Sequence, residues 1–198
     1  MTQLITRFSD VAAGRITVNG LDVQAWDLAA LRHQIAFVPQ TAVLFHGTIR
    51  ENLQWGKADA TDEGCFQALE TAQCREFVEK LPEGLDTMVM ENGKNFSGGQ
   101  RQRLTIARAL IRKPHLLILD DSLSALDYQT DLDLRQALAR DLDSAMIIIS
   151  QRVRSIQQAK EILVLDSGRL VGKGTHEALL LSSSEYQAIV ASQEEEHD

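Results

Sequence analysis

LLILDD, residues 116–121, is a run of four apolar side chains that ends in two carboxylates. A strand without polar alternation must be covered on both faces, so this run predicts a central strand of a parallel sheet packed between helices. Ligands of open parallel sheets bind at the carboxyl ends of the strands. Asp120 and Asp121 are therefore predicted to lie where a hydrated Mg²⁺ and a phosphate could be held. Two acids in a turn after an apolar strand are also a common structural pattern.

Short β-rich runs alternate with longer helical patterns, which is typical of an α/β domain with a largely parallel sheet. The predicted strands are residues 15–18, 35–38, 116–119, 146–149 and 162–165, and the last three are predicted to be central. Between residues 41 and 113 no strong strand pattern occurs, and residues 61–74 and 100–112 are predicted to be helices. The sequence thus predicts an α/β core with a helical insertion.

Composition excludes several classes of protein. The chain has 198 residues, of which 44% are apolar and 24% charged, so it is long and apolar enough for a folded core. Its 28 acidic and 20 basic residues give a net charge of −8, which argues against bulk binding of nucleic acid. No apolar run approaches the roughly 20 residues of a membrane span. The first residues lack a signal-peptide pattern, so a cytosolic protein is expected. Cys65 and Cys74 lack metal-ligand spacing and a partner pair, so they are expected to be reduced thiols in a reducing compartment.

A second motif precedes the acids, in the order Ser97, Gly98, Gly99 and Gln100. Ser is a good helix N-cap, and glycines let an anion approach the free backbone N–H groups at the start of a helix. A bare Ser-Gly-Gly turn can also be purely structural. The basic residues that follow, between 101 and 113, are expected to form a solvated helix face rather than a nucleic-acid surface.

The two motifs together resemble the ATP-binding cassette family, in which a Ser-Gly-Gly-Gln signature shortly precedes an apolar strand that ends in Asp. Gln40 ends a strand, as in the family loop that couples nucleotide to the transmembrane partner. Residues 44–52 and 91–93 resemble the segments with which exporter cassettes touch membrane domains, and residues 124–127 resemble the loop that crosses the dimer interface. The resemblance extends from about residue 7 to residue 181.

The resemblance implies an ATP site with Mg²⁺ whose residues come from both halves of a cassette dimer. It assigns Asp120 and Gln40 to the metal, and Asp121 and Gln151 to catalysis. Nucleotide binding is assigned to Gln40, Ser97, Gly98, Gly99, Gln100 and Asp127. The implied fold is an incomplete P-loop NTPase-like parallel sheet with an inserted α-helical subdomain. It divides into an α/β remnant at 1–40, a signature subdomain at 41–113, an α/β core at 114–181 and a frayed acidic tail at 182–198.

The chain departs from the family pattern at three places. No Gly-x-x-x-x-Gly-Lys-Ser/Thr motif occurs, so we expect that the chain begins after the phosphate loop. Alone it is then expected to be inactive and unstable. Asp121 stands where the family has Glu, and Gln151 stands where it has a switch His. This pair of changes resembles the subunit of heterodimeric exporters that carries the degenerate ATP site.

We therefore expect a fragment of an exporter-type nucleotide-binding domain that couples ATP binding and hydrolysis to export. Its expected partners are a transmembrane domain and a second, different nucleotide-binding domain, with no nucleic acid. The intact transporter would place it at the cytoplasmic face of the membrane, whereas the fragment would be soluble. Two alternatives remain open: a non-catalytic cassette that only lends its signature loop, and a soluble cassette ATPase. The membrane-facing segments and the lack of coiled-coil heptads disfavour the second.

Overall fold

The structure is a computed structural model that describes residues 2–195. The chain divides into two compact units, Met1–Ile149 and Ser150–Asp198. Among the described residues, no helix is long and apolar enough to cross a membrane.

The first unit contains seven helices and seven strands within its described residues. The helices are α1 Thr2–Ile5, α2 Leu28–Gln34, α3 Ile49–Gln54, α4 Asp62–Thr71, α5 Arg75–Glu79, α6 Gly98–Leu110 and α7 Tyr128–Asp141. The strands are β1 Thr17–Val18, β2 Leu21–Asp22, β3 Ile35–Val38, β4 Gly47–Thr48, β5 Met88–Val89, β6 Leu116–Asp120 and β7 Ala145–Ile149.

A parallel sheet in the order β3-β6-β7 forms the centre of the first unit. The middle strand is the LLILDD run, and Leu117, Ile118 and Leu119 have no solvent exposure. Leu117 and Leu119 pack into the larger apolar cluster, while Ile118 packs into a second cluster with Leu31 of α2. Since alternate side chains of a strand point to opposite faces, both faces of β6 are covered, as the apolar run predicts.

Two strands expected to be central have other positions. Among the described residues, β7 pairs only with β6, and its side chains are exposed or half-buried. The strand predicted at 162–165 pairs antiparallel with a neighbour in the second unit, so the prediction of a central parallel strand was wrong there. An apolar run alone does not separate a sandwiched strand from an exposed hairpin.

The helical insertion is confirmed between β3 and β6. Helix α6 buries Leu104, Ala107 and Leu110, three positions of the predicted stripe, and α4 is capped by Thr61, which accepts from the N–H of Gly64 at 3.2 Å. The helix predicted over residues 61–74 is interrupted, because Gln73 adopts a left-handed conformation (φ 56°). A short antiparallel pair, β4 with β5, was not predicted because each strand has two residues.

The second unit is a small α/β unit with its own core. It contains α8 Val153–Ile156, β8 Ile162–Asp166, β9 Arg169–Gly174, α9 His176–Ser182 and α10 Ser184–Glu195. The expectation of a frayed tail was wrong within α10, where Tyr186 is 2% exposed and its Oη lies 2.8 Å from His176 Nδ1. The buried Tyr186 ring thus holds α10 in place despite the acidic residues that suggested fraying. Residues 196–198 of the predicted tail lie outside the described residues.

Candidate functional site

The two acids lie at the carboxyl end of β6. Asp120 is the last residue of that strand, and its Oδ2 accepts from the Thr2 hydroxyl at 3.3 Å. Asp121 has a positive φ of 46°, a conformation that Asp tolerates better than most residues. Its backbone N–H donates to Ile149 at 2.8 Å, and its carbonyl accepts from the Ser124 hydroxyl at 2.7 Å. The turn is thus fixed from both sides.

Gln40 joins the acids at the same edge of the sheet. It lies two residues beyond β3, which pairs in parallel with β6, so strand adjacency brings positions 40 and 121 together. The Nε2 of Gln40 donates to Asp121 Oδ2 at 2.8 Å. Gln40 is exposed and both acids are half-buried, so the cluster is open to a ligand.

The chemistry of this cluster fits Mg²⁺. Carboxylate and amide oxygens are hard donors, and Mg²⁺ in phosphate sites commonly takes one or two carboxylates while it keeps several waters. Asp120, Asp121 and the Oε1 of Gln40 supply that kind of donor set. Within residues 2–195 no group of three or more His, Cys, Asp or Glu residues could form a metal cage. The residues therefore fit a metal shared with a phosphate ligand better than a structural metal.

The signature turn is the N-terminal cap of α6. Ser97 Oγ accepts from the N–H of Gln100 at 3.2 Å, and Gln100 Oε1 accepts from the N–H of Ser97 at 2.9 Å. This is a capping box, as the Ser-x-x-Gln spacing allows. A Cβ added at Gly98 would meet nothing within 4 Å, and Ser97 and Gly98 are exposed. The first helical N–H groups are thus open to an approaching anion.

The turn and the acids are not joined directly. In the part of the chain that the structure describes, no hydrogen bond connects Ser97–Gln100 with Gln40, Asp120 or Asp121. The turn packs instead against the loop after β6, because a Cβ at Gly99 would lie 3.6 Å from Leu126. The exposed turn is therefore available to another molecule.

Asp127 has a local structural role that sequence reasoning did not assign. It is the N-cap of α7: Oδ1 accepts from the N–H of Thr130 at 3.0 Å and Oδ2 from the Thr130 hydroxyl at 2.8 Å. These hydrogen bonds from the Thr130 backbone and side chain hold the pKa of Asp127 below its usual value. The Asp-x-x-Thr spacing was the available signal.

Gln151 belongs to the second unit. Its side chain is exposed, and its backbone carbonyl accepts from Nε2 of Gln193 on α10. The structure thus places Gln40, Asp120 and Asp121 in one cluster, the Ser97–Gln100 turn on a separate exposed surface, and Gln151 in another unit.

The basic residues between positions 101 and 113, in α6 and just after it, were expected to form a solvated face, and that expectation was wrong for the four arginines. Each donates to a backbone carbonyl: Arg101 to Phe96 at 2.7 Å, Arg108 to Val43 at 2.7 Å, Arg112 to Arg32 at 2.8 Å, and Arg103 to Gln73. Only Lys113 among them is exposed. The use of arginine instead of lysine was the signal, since the guanidinium presents several donors at fixed angles.

An apolar surface lies beside the loop that follows Gln40. The rings of Phe45 and Trp55 are 5.0 Å apart, and Trp55 is 71% exposed. Val43, Met88 and Met90 are also exposed, and Met88 is paired with Thr48 in the short β4–β5 sheet. We call these five residues, Val43, Phe45, Trp55, Met88 and Met90, the aromatic patch. Exposed apolar clusters of this kind mark interaction surfaces.

Comparisons with known proteins agree with these features. The family described as ABC transporter matches residues 1–124. The ABC transporter ATP-binding protein YfiB of Bacillus subtilis is 46% identical over 191 residues, which are 96% of this chain and 33% of YfiB. The lipid A-core flippase of Desulfotalea psychrophila is 40% identical over 190 residues, 96% of this chain and 33% of the flippase.

A solved structure gives the same result. The ATP-bound structure of a bacterial Atm1-family ABC exporter superimposes with a TM-score of 0.93 at 37% identity. The match covers 97% of this chain and 34% of the exporter, so the chain spans about a third of the length of these relatives. The chain belongs to the ABC transporter family, within which it is an exporter-type nucleotide-binding domain.

Proposed function

We propose that this chain binds ATP with Mg²⁺ at a dimer interface and couples that binding to export through a transmembrane domain. The observation that carries the proposal is the Gln40–Asp121–Asp120 cluster at the sheet edge, separate from an exposed Ser97–Gln100 turn. Two half-sites on different surfaces of one chain are what an ATP site shared between two cassettes requires.

Each residue of the cluster has a proposed role. Asp120 and the Oε1 of Gln40 hold the metal, directly or through its waters. Asp121 orients the attacking water and accepts its proton. Bound ATP with Mg²⁺ supplies the phosphoanhydride bond that hydrolysis breaks. Asp121 is one methylene shorter than a glutamate, and a base displaced by about 1 Å can lose on the order of a hundredfold in rate. This chain's own site is therefore slow.

The signature turn serves the other site of the dimer. The N–H groups at the start of α6 and the Ser97 hydroxyl face an anion held by the second cassette, with the positive end of the helix dipole behind them. The turn keeps the Ser, both Gly and Gln. An intact signature beside a weakened acid pair favours a heterodimer, in which this subunit completes the faster site of its partner. Gln151, which cannot become cationic as a His can, weakens the same slow site.

The aromatic patch is the proposed contact with the transmembrane domain. Two of its residues, Val43 and Phe45, lie in the segment that follows Gln40, so a membrane domain docked there touches the loop that begins beside the metal site. The Atm1-family relative is an exporter, and the Desulfotalea relative is named as a lipid A-core flippase. In the intact transporter this surface would sit at the cytoplasmic face of the membrane.

The proposed difference in rate between the two ATP sites of the dimer can be tested. ATP turnover is measured in the transporter assembled from the full-length subunit and its partner, with Ser97→Asp or Asp120→Asn in this subunit. Ser97→Asp places a negative charge against the partner's nucleotide and should abolish most turnover, whereas Asp120→Asn affects only the slow site and should remove little. Equal losses would contradict the degenerate heterodimer, and no loss with either variant would contradict ATP hydrolysis at these sites.

Calorimetry on the full-length subunit separates the non-catalytic alternative from the proposed function. A titration with Mg-ATP that gives binding heat, lost in Asp120→Asn, supports a nucleotide site built on this subunit. Negligible heat, together with a loss of the partner's turnover in Ser97→Asp, would favour a non-catalytic cassette that only lends its turn.

A further inference from the structure

The segment between Gln40 and α3 has little regular structure, yet side chains from two helices hold it. Asn52 on α3 is buried and makes three hydrogen bonds to it. Its Nδ2 donates to the carbonyls of Phe45 at 2.8 Å and Thr48 at 3.0 Å, and its Oδ1 accepts from the Phe45 N–H at 2.8 Å. Leu44, 2% exposed, anchors the same segment in the core.

Arg108 on α6 holds the segment from the other side. Its Nη2 donates to the Val43 carbonyl at 2.7 Å, and its guanidinium carbon lies 5.2 Å from the centre of the Phe45 ring. Its Nη1 is buried and has no hydrogen-bond partner, and no salt bridge to a carboxylate reaches Arg108 within the described residues. Burial lowers the pKa of this guanidinium.

A half-buried cation that has no counter-ion and one buried, unpaired donor is a poor way to stabilise a fold. An uncompensated charge and an unpaired donor both cost free energy, so an apolar side chain of similar length would pack there at lower cost. The advantage of arginine at this position is that one side chain holds two groups in place. It fixes the backbone carbonyl of Val43 and the face of Phe45 at once, three and five residues beyond Gln40.

The helix that carries Arg108 also carries the signature turn. Ser97 caps the first turn of α6 and Arg108 lies in its last turn, eleven residues later, which corresponds to about 17 Å of helix. At the far end of the held segment, Gln40 donates to Asp121. One rigid helix therefore connects the exposed turn with the segment that positions an amide of this chain's own acid cluster.

We propose that Arg108 is a positioning residue that ties α6 to the Gln40 segment, so that the Gln40 amide is set against Asp121. A displacement of the signature turn then moves Gln40 through the Arg108–Val43 and Arg108–Phe45 contacts. That this link matters for ATP hydrolysis rests on the proposed function. The contacts of Arg108 with Val43 and Phe45, and their effect on Gln40, can be tested in the chain without nucleotide.

The experiment is nuclear magnetic resonance on the full chain without nucleotide, observing the side-chain amide of Gln40. Asp121→Ala removes the acceptor and gives the resonance position of the unbound amide. Arg108→Met should move the Gln40 resonance towards that position and speed hydrogen exchange of the Phe45 amide about tenfold, the effect of losing roughly one charged hydrogen bond. Arg108→Lys, which keeps one donor and the charge but not the planar group, should give an intermediate shift.

Arg112→Met is the matched control. Arg112 lies just after α6 and, like Arg108, donates to a backbone carbonyl, that of Arg32 at 2.8 Å, but among the described residues no hydrogen bond joins it to the Gln40 segment. The Arg112→Met variant should leave the Gln40 resonance unchanged even if it lowers the melting temperature. A wild-type Gln40 resonance in both Arg108 variants would overturn the proposal. If Arg108→Met does not fold, the Lys variant decides between the two outcomes. Since no nucleotide is present, a failure of ATP binding does not affect the result.

Discussion

The side chains of Gln40 and Asp121, 81 residues apart, are joined by a hydrogen bond of 2.8 Å. An ionised carboxylate can only accept, so the nitrogen of the Gln40 amide faces Asp121 and its oxygen Oε1 is left for another partner. The contact therefore orders the amide without using the atom that would bind a metal. It also engages Oδ2 of Asp121, the residue that we propose as the base of this site.

The weakened acid pair should be repairable. In the proposed full-length heterodimer, Asp121→Glu combined with Gln151→His should raise hydrolysis at this subunit's proposed site by about one to two orders of magnitude, because the longer carboxylate reaches the water and the imidazole can carry charge. The rate is measured with the partner's own site disabled. The Gln151→His variant alone serves as the control. Unchanged turnover in the double variant would show that the degenerate site is limited by something else.

Ser97 has a structural role that can be separated from its proposed role in nucleotide binding. Ser97→Ala loses the cap of α6 and should cost about 1 kcal/mol of unfolding free energy, whereas Ser97→Asp keeps an accepting oxygen and should stay within about 0.5 kcal/mol of wild type. Urea unfolding of the chain measures both. A large loss of stability in Ser97→Asp would contradict the capping geometry and would make that variant unsuitable for testing function.

Gly56, two residues after α3, lies tightly against the C-terminal end of α6. A Cβ there would lie 2.2 Å from the backbone oxygen of Arg108 and 2.7 Å from Cγ2 of Ile111. A backbone atom cannot yield as a flexible side chain can, so Gly56→Ala should force the helices apart and cost about 1–3 kcal/mol. Gly64→Ala in α4 is the control, since its Cβ would meet only Thr61 Oγ1 at 3.4 Å. Equal melting temperatures for the two variants would contradict this packing.

Patterns within one element were the most predictable part of the fold. The LLIL run predicted β6 and the apolar stripe predicted α6, because strand and helix periodicity is carried directly by the sequence. That Gln40 and the acids share a site was predicted only from the family resemblance, and the pairing of β3 with β6 explains it. The position of the Ser97 cap followed from side-chain chemistry alone.

Features that depend on contacts distant in sequence were missed. The β8–β9 hairpin is local and had a usable signal in the Ser167–Gly168 pair, which forms a two-residue turn in which both residues have positive φ. For the arginines only the residue type was a signal, and for the Asn52 contacts with Phe45 there was none, since the carbonyl that a side chain binds is known only once the chain is folded. The residues that hold the site were therefore less predictable than the residues that form it.

The two thiols should be inert in the native chain. Cys65 and Cys74 are buried and free, and burial raises the pKa of both thiols. Since the thiolate is the reactive form, burial protects both groups in two ways: it keeps reagents away, and it keeps the thiols protonated. A disulfide-exchange reagent should label the native chain only as fast as it unfolds, and denaturant should release two equivalents at once. Rapid labelling of one thiol under native conditions would show that its helix opens locally.

Asp127 gives a stability that depends on pH. Its pKa is lowered by the hydrogen bonds from Thr130, so the cap is fully formed above the ordinary Asp pKa of about 3.9 and is lost as the pH falls through the lowered value. Asp127→Asn keeps an accepting oxygen at every pH. The melting temperature of wild type relative to Asp127→Asn should therefore fall below about pH 4 and stay constant above pH 5. Thr130→Val, which removes one of the two donors, should reduce this pH dependence, and a difference that is the same at every pH would contradict it.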